Sequence, residues 1–192
     1  MSVLPDPMHH LLTVAEYAAL GEVESGYTEL LEGRLLLSPG PTPDHNLASG
    51  ELYHRLRPQL PDDLAVVQSV DVDLELAPPG QPGFSRRPDL VVVHRWATRR
   101  TRAEGGPFRA SEVVVAIEIV LPDSRRTDSV DKRGEYADAG IPHYWMVDIA
   151  DPVTLVACHL ADGQGYRALP AVTGVFALTA PFPLRLGLDR LV

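Results

Sequence analysis

Two apolar runs constrain this chain more than any other feature. "DLVVV" spans 89–93 and "VVVAIEIV" spans 113–120. Both are short, rich in β-branched residues and bounded by breaker residues, so they predict buried strands at 88–94 and 112–121. Each run carries one carboxylate: Asp89, directly after Pro88, and Glu118, late in the second run. A buried charge is costly unless it is paired or holds a metal, so the rest of the sequence has to supply the partner.

The flanking segments fill in an α/β pattern. "TVAEYAAL" (13–20) predicts a short helix, with Thr13 and Glu16 at capping-box spacing. "YTELLEGRLLL" (27–37) predicts a hairpin turning at Glu32-Gly33. Leu47, Leu52, Leu56 and Leu60 recur at near-helical spacing and predict a helix over 44–60. The alternation of Val70, Val72, Leu74 and Leu76 with Asp71, Asp73 and Glu75 predicts that 64–76 is a half-exposed strand. A helix from Asp128 to about Ala139 is stopped by Gly140 and Pro142. A strand at 143–149 and a hairpin turned at Asp162-Gly163 follow. This order implies an α/β fold with a mixed sheet.

At 192 residues and 45% hydrophobic, the chain is expected to form one domain over 1–192, with 1–12 as a flexible extension. No apolar run approaches the roughly 20 residues of a membrane span. "MSVLPDPMHH" lacks the basic-then-apolar pattern of a secretory signal, so a cytoplasmic protein is expected. Cys158 is the only cysteine, which excludes an internal disulfide and suits a buried thiol.

The net charge of −9 argues against a simple basic DNA-binding module. Charge is unevenly spread, however. Arg34, Arg55 and Arg57 are the only bases in the first eighty residues, whereas Arg86, Arg87, Arg95, Arg99, Arg100, Arg102 and Arg109 cluster around the Asp89 strand. That cluster reads either as a basic rim for a polyanion that must meet a metal, or as a solvated loop over "HRWATRRTRAEGG". Lys132 is the only lysine among seventeen basic residues. A lysine is a compact point charge that arginine does not replace.

Neighbouring strands would bring Asp89 and Glu118 to one point, a donor set that suits Mg²⁺. Asp128, Lys132 and Tyr136 share one helix face at i, i+4, i+8. Each residue also has a purely structural reading. Asp89 can start a strand, Glu118 can pair internally, Lys132 can pair with Asp128, and Glu29 can pair with a core arginine. His45 can sit on the surface, and Tyr136, Tyr144 and Trp145 can be core.

Taken in order, "YTELLEGRLL", "SPGPTPDHN", "RRPDLVVV", "AIEIVLPDS" and "DSVDKRGEYADAGIPHYWMVD" resemble the Uma-type restriction endonuclease family of the PD-(D/E)XK nuclease superfamily. The resemblance runs from about Thr13 to Asp148. It implies a restriction-endonuclease-like mixed β-sheet core flanked by helices, with an N-terminal helix and hairpin. It also implies catalytic roles for Asp89, Glu118, Lys132, Glu29 and His45, with Asp89 and Glu118 as ligands of Mg²⁺ or Mn²⁺. The superfamily lysine stands two residues after the second acid; here that position is Val120, so Lys132 would reach in from the helix. Leu121-Pro122-Asp123 replaces the family's Ser-Pro-Ser run.

The function expected is metal-dependent hydrolysis of DNA phosphodiester bonds, with Arg86, Arg99, Arg100 and Arg126 contacting nucleic acid. The resemblance also implies a homodimer. The alternatives are a non-catalytic nucleic-acid- or protein-binding module on the same fold, or a hydrolase of small phosphate esters. The histidines show no zinc-ligand spacing.

Overall fold

A computed structural model describes residues 10–21, 26–38, 40–120, 128–161 and 163–192, with backbone alone for 128–130. Helix α1 (Val14–Leu20) starts where capping chemistry predicts. Thr13 Oγ1 accepts from Glu16 N at 3.2 Å and Glu16 Oε2 accepts from Thr13 N at 2.8 Å. Strands β1 (Tyr27–Leu31) and β2 (Arg34–Ser38) form the expected hairpin. Its turn places Glu32 at φ 50° and Gly33 at φ 75°, the left-handed pair that a two-residue hairpin needs. A Cβ on Gly33 would also lie 2.8 Å from Leu11 Cβ and 2.9 Å from Pro82 Cβ, so the turn is packed as well as strained.

Leu12, expected within a flexible extension, belongs to the body of the fold. It is buried, donates to Gly33 O at 2.8 Å and accepts from Gly83 N at 2.9 Å. Residues 1–9 of that expected extension lie outside the described residues.

Helix α2 (Pro43–Leu56) is capped by Thr42, with proline at its first turn, and gives way to a 3₁₀ turn at 57–59. It buries Leu52 and Leu56 as the leucine spacing predicts, while Leu47 faces solvent and Ala48 takes the inward position in the first turns. The strand expected over 64–76 is broken. Strand β3 (Leu64–Gln68) ends at Ser69, which adopts φ 49°, and β4 (Val72–Asp73) joins a different sheet. The alternation survives as burial of Val72 and Leu74, without a continuous strand.

Strands β5 (Ser85–Arg86) and β6 (Leu90–His94) precede α3 (Arg95–Glu104), then β7 (Phe108–Arg109) and β8 (Val113–Val120). The arginine-rich stretch read as a loop is therefore a helix. It buries only Ala97, so it carries no apolar stripe with helical spacing. Helix α4 (Asp128–Asp138) and β9 (His143–Asp148) match their expected positions. Strand β10 (Thr154–Ala161) pairs with β11 (Gly165–Ala168), and β12 (Val172–Thr173), β13 (Val175–Leu178) and β14 (Leu184–Gly187) close the chain.

The main sheet runs β11-β10-β9-β8-β6-β3, with β12 added to β10; a second runs β2-β1-β5-β4-β7, and β13 pairs with β14. The sheets are mixed: β8 and β9 run parallel, as do β4 and β7, among otherwise antiparallel pairs. A parallel pair needs a crossover, and α4 supplies it between β8 and β9. One face of the main sheet buries Val92, Ile117, Trp145 and Leu155 against α2 and the β13–β14 hairpin. The other buries Val91, Ala116, Tyr144 and Cys158 with Tyr136 of α4 and Ala97 of α3. Alternate residues of β6 and β8 thus enter opposite cores, which explains why, Asp89 and Glu118 apart, both runs are apolar on both faces. No helix among the described residues is long and apolar enough to cross a membrane.

Candidate active site

The register of β6 against β8 brings the two strand acids together. The strands are antiparallel and pair Leu90 with Ile117. One step further, Asp89 comes opposite Glu118. Ile119 N donates to Asp89 Oδ2 at 2.7 Å, so the carboxylate takes up a backbone donor where the ladder ends. Asp89 is 7% exposed. Its other oxygen, Oδ1, lies 3.0 Å from His45 Nε2. His45 is held in the first turn of α2, where its N–H donates to the Thr42 cap at 3.3 Å. The hydrogen bond to Asp89 raises the imidazole pKa, aided by the charge of Asp89 and of Glu118, against the opposing effect of burial.

Glu118 meets α4. Its Oε1 accepts from Tyr136 OH at 2.7 Å and from Lys132 Nζ at 3.2 Å. Lys132 and Tyr136 are i, i+4 neighbours, so one helix face delivers both donors to one oxygen. Lys132 is 8% exposed, and its Nζ also lies 3.0 Å from Glu29 Oε1. The lone lysine is thus clamped between two carboxylates from different sheets. The side chain of Asp128, the rival partner, lies outside the described residues.

Burial dominates the electrostatics. It pushes Glu118 up to about 7, and Asp89 and Glu29 add to this against the opposing pull of Lys132 and Tyr136. Burial also acts to raise Glu29, but Lys132, the Arg87 backbone N–H and Arg86 outweigh it and leave this carboxyl below its usual range. Lys132 is raised: burial alone would lower it, and Glu118, Glu29 and Asp89 reverse that. Burial, followed by Glu118, carries Tyr136 well above the usual phenol range and so keeps it a hydrogen-bond donor.

Two of the expected nucleic-acid arginines, Arg86 and Arg100, are committed to internal carboxylates. Arg86 is 5% exposed and wholly committed inside the protein. Its Nη1 donates to Glu29 Oε2 at 2.8 Å, and its Nε and Nη2 form a fork on Glu135 at 2.6 and 2.7 Å. Arg87 points to the opposite side of the extended chain and forks onto Asp71 at 2.8 and 2.9 Å. Arg100 forks onto buried Glu112 and donates to Pro107 O at 2.9 Å. Arg99 is exposed, but α3 begins at the opposite end of β6 from Asp89. Six residues of extended chain to Arg95 span about 20 Å. Arg126 lies outside the described residues, as does the Leu121-Pro122-Asp123 departure.

Two participants escaped the sequence reading. No sequence motif marks Glu135, and the sequence reads Arg86 as an outward phosphate contact, whereas the two pair inside the protein. Glu135 does lie three residues after Lys132, on the same side of α4, and that spacing was the available signal. Tyr136, read mainly as core, is fully buried and still hydrogen-bonded to the site.

The donor set fits a hard dication. Among the described residues no group of three or more His, Cys, Asp and Glu side chains is arranged to surround a metal. Asp89 and Glu118 supply two adjacent carboxylates, and the described residues give no hydrogen-bond partner to Glu118 Oε2. Mg²⁺ is commonly held by one or two protein carboxylates, with water and phosphate oxygens completing its shell. Charge points the same way. Among the described residues, the ion-pair partners of Glu29, Asp89, Glu118 and Glu135 are Lys132, Arg86 and a titratable His45.

The fold and this acid–acid–lysine cluster define a restriction-endonuclease-like protein. The chain belongs to the Uma2 family, described as "Putative restriction endonuclease", whose model matches residues 14–189. No curated protein matches the chain. Among solved structures it is similar to a protein from Anabaena variabilis described as "a putative nuclease belonging to DUF820". The two share 19% identity over 94% of this chain and 97% of the other, with a TM-score of 0.67, a likeness of fold.

Proposed function

We propose that the protein is a metal-dependent endonuclease that hydrolyses DNA phosphodiester bonds in the cytoplasm, with Asp89 and Glu118 as the ligands of Mg²⁺ or Mn²⁺. The observation that carries this reading is the meeting of Asp89, Glu118 and Lys132 in a buried cluster where, among the described residues, carboxylates outnumber cations. Glu118 rises to about 7 beside a lysine 3.2 Å away. A carboxylate that stays that reluctant to ionise is one that a dication would relieve.

When bound, the metal would supply Lewis-acid polarisation of a phosphoryl oxygen and acidify a water. The chain's own residues do the rest. Tyr136 OH fixes Glu118 Oε1 and leaves Oε2 to face the ligand. Ile119 N fixes Asp89 Oδ2. Lys132 Nζ remains a full cation with a third donor to offer, and stabilises negative charge that develops on the phosphoryl group. Glu29 stays ionised and holds Lys132. His45 Nε2 orients Asp89 Oδ1.

The non-catalytic binding module is less well supported. It gives no role to a buried lysine held between the carboxylates of Glu29 and Glu118. Incubating the purified chain with plasmid, linear and single-stranded DNA and with RNA, in Mg²⁺ or Mn²⁺ and then in EDTA, tests the proposal. Metal-dependent nicking that Glu118→Gln abolishes supports it. Cleavage that survives Glu118→Gln overturns the assigned site. Mass measurement in solution tests the homodimer.

A further inference from the structure

Arg86 and Glu135 lie behind the cluster and touch none of the atoms assigned to metal or phosphate, yet they are among its most tightly bonded members. Three nitrogens of Arg86 are used at 2.6–2.8 Å, two on Glu135 and one on Glu29 Oε2. Glu29 Oε1 then receives Arg87 N at 3.0 Å and Lys132 Nζ at 3.0 Å. The chain of contacts runs Glu135–Arg86–Glu29–Lys132–Glu118 without a gap. It also ties α4 to itself through another sheet: Glu135 and Lys132 share that helix, while Arg86 comes from β5 and Glu29 from β1.

A fixed lysine needs this arrangement. A lysine side chain has a flexible four-carbon stem and a strongly hydrated head. Clamped by Glu118 alone, Nζ could swing with the carboxylate it touches. A second carboxylate, itself pinned by a planar guanidinium, sets a second fixed point. Arginine suits the post because its fork holds one carboxylate in a bidentate grip and leaves a third nitrogen for another.

We propose that Arg86 and Glu135 are positioning residues: they lock Glu29 so that Lys132 Nζ is held at a fixed point beside Glu118. The idea rests on the nuclease reading for its consequence in rate, but not for its geometry. Glu29 thereby becomes the anchor of the lysine rather than a ligand of the metal. Arg86 acts from inside the protein, and no phosphate contact is required of it.

The test uses a charge-neutral double variant of the full chain, Arg86→Met with Glu135→Leu. Replacing a buried ion pair by apolar side chains of similar size is often tolerated. A purely structural role therefore predicts a folded protein with unchanged chemistry. Lys132 is the only lysine, so amine acylation followed by peptide mass spectrometry reads that residue directly, in EDTA and without substrate. The expected result is a cooperative melt and acylation of Lys132 faster by about 10-fold or more. Single-turnover cleavage should be slower by about 10- to 100-fold, with the Mg²⁺-induced rise in Tm retained, as misplacement near a reacting centre implies.

Glu51→Gln, in the surface pair with Arg55, serves as control and leaves all three readings unchanged. A folded double variant whose Lys132 is as protected as in the wild type overturns the proposal. So does one that keeps wild-type cleavage. If the wild type cleaves nothing, the nuclease reading fails while the acylation result still decides the positioning claim. If the double variant does not melt cooperatively, Arg86→Lys is read in the same assays. It keeps the charge but lacks the fork, and the same faster acylation or its absence decides.

Discussion

Asp89 and Glu118 face each other across β6 and β8, and the pair is asymmetric. Asp89 has both oxygens engaged, by Ile119 N at 2.7 Å and His45 Nε2 at 3.0 Å. Glu118 concentrates Tyr136 and Lys132 on Oε1. The strained member of the pair is therefore Glu118, and it is the one burial pushes up to about 7. Metal response and pH response should both be read through it.

Mg²⁺ should raise the Tm of the wild type, because a ligand that binds only the folded state stabilises it by mass action. Glu118→Gln and Asp89→Asn should each remove most of that rise, and Glu118→Gln should lower single-turnover cleavage by at least about 100-fold, consistent with the loss of a group acting through a metal. Melting curves across a Mg²⁺ titration check the first part. A full Mg²⁺ response in Asp89→Asn would remove Asp89 from the ligand set.

The metal-free protein should lose stability as pH rises from about 5 to 8. The folded pKa of Glu118 is about 7, above the ordinary 4.5, so between those values the folded state binds more protons than the unfolded state and stability falls with pH. His45 acts in the same direction higher up. Its folded pKa is raised above 6.5, so the stability it adds is present below that value and lost as pH climbs through the folded pKa. Glu29 has the opposite sign, but its depressed pKa places its window below 4.5. Urea unfolding in EDTA at pH 5.5 and pH 8 should therefore give a lower midpoint at pH 8. Glu118→Gln should flatten most of that difference. A midpoint that rises with pH in the wild type would contradict the burial of an unrelieved carboxylate.

Arg100→Ala should destabilise the fold without changing the salt dependence of nucleic-acid binding. Arg100 forks onto Glu112, which is almost fully buried. Breaking a buried pair from one side costs about 3–5 kcal/mol. A phosphate-contacting residue would instead reduce the slope of log affinity against log salt by about one on removal. Denaturation and a two-salt binding titration separate the outcomes.

The two acids were legible because each stands alone in a run with no other reason to hold a charge. Their meeting was not, since only the register Leu90–Ile117 makes Asp89 and Glu118 opposite numbers. The hairpin and α4 were legible from local chemistry: Glu32-Gly33 for the turn, and Gly140 at φ 74° for the helix end. The break at Ser69 was hidden because polar alternation continues across it while the chain changes sheets. The arginines misled for a physical reason. Positive charge in sequence does not reveal whether its partner is a phosphate or an internal carboxylate, and the partners of Arg86 lie 57 and 49 residues away, at Glu29 and Glu135.

The last expectation concerns Lys132→Arg and Lys132→Ala, which the geometry separates. From the sequence alone both should fold normally, because the i, i+4 spacing to Asp128 places the lysine on a helix face. It is 8% exposed and flanked at 3.0 and 3.2 Å by Glu29 and Glu118. Lys132→Ala leaves two buried carboxylates facing a gap. It should lower the stability of the metal-free protein by about 3 kcal/mol, the scale of a broken buried pair. Lys132→Arg keeps the charge and should melt nearer the wild type. It should still cleave at least about 100-fold more slowly, because a planar guanidinium cannot occupy the point held by a tetrahedral ammonium, and about 1 Å of misplacement costs that much. Single-turnover rates at saturating metal, alongside melting curves for both variants, check the pair. Wild-type cleavage in Lys132→Arg would show that position 132 supplies charge alone, and the role given to a precisely held Nζ would have to be withdrawn.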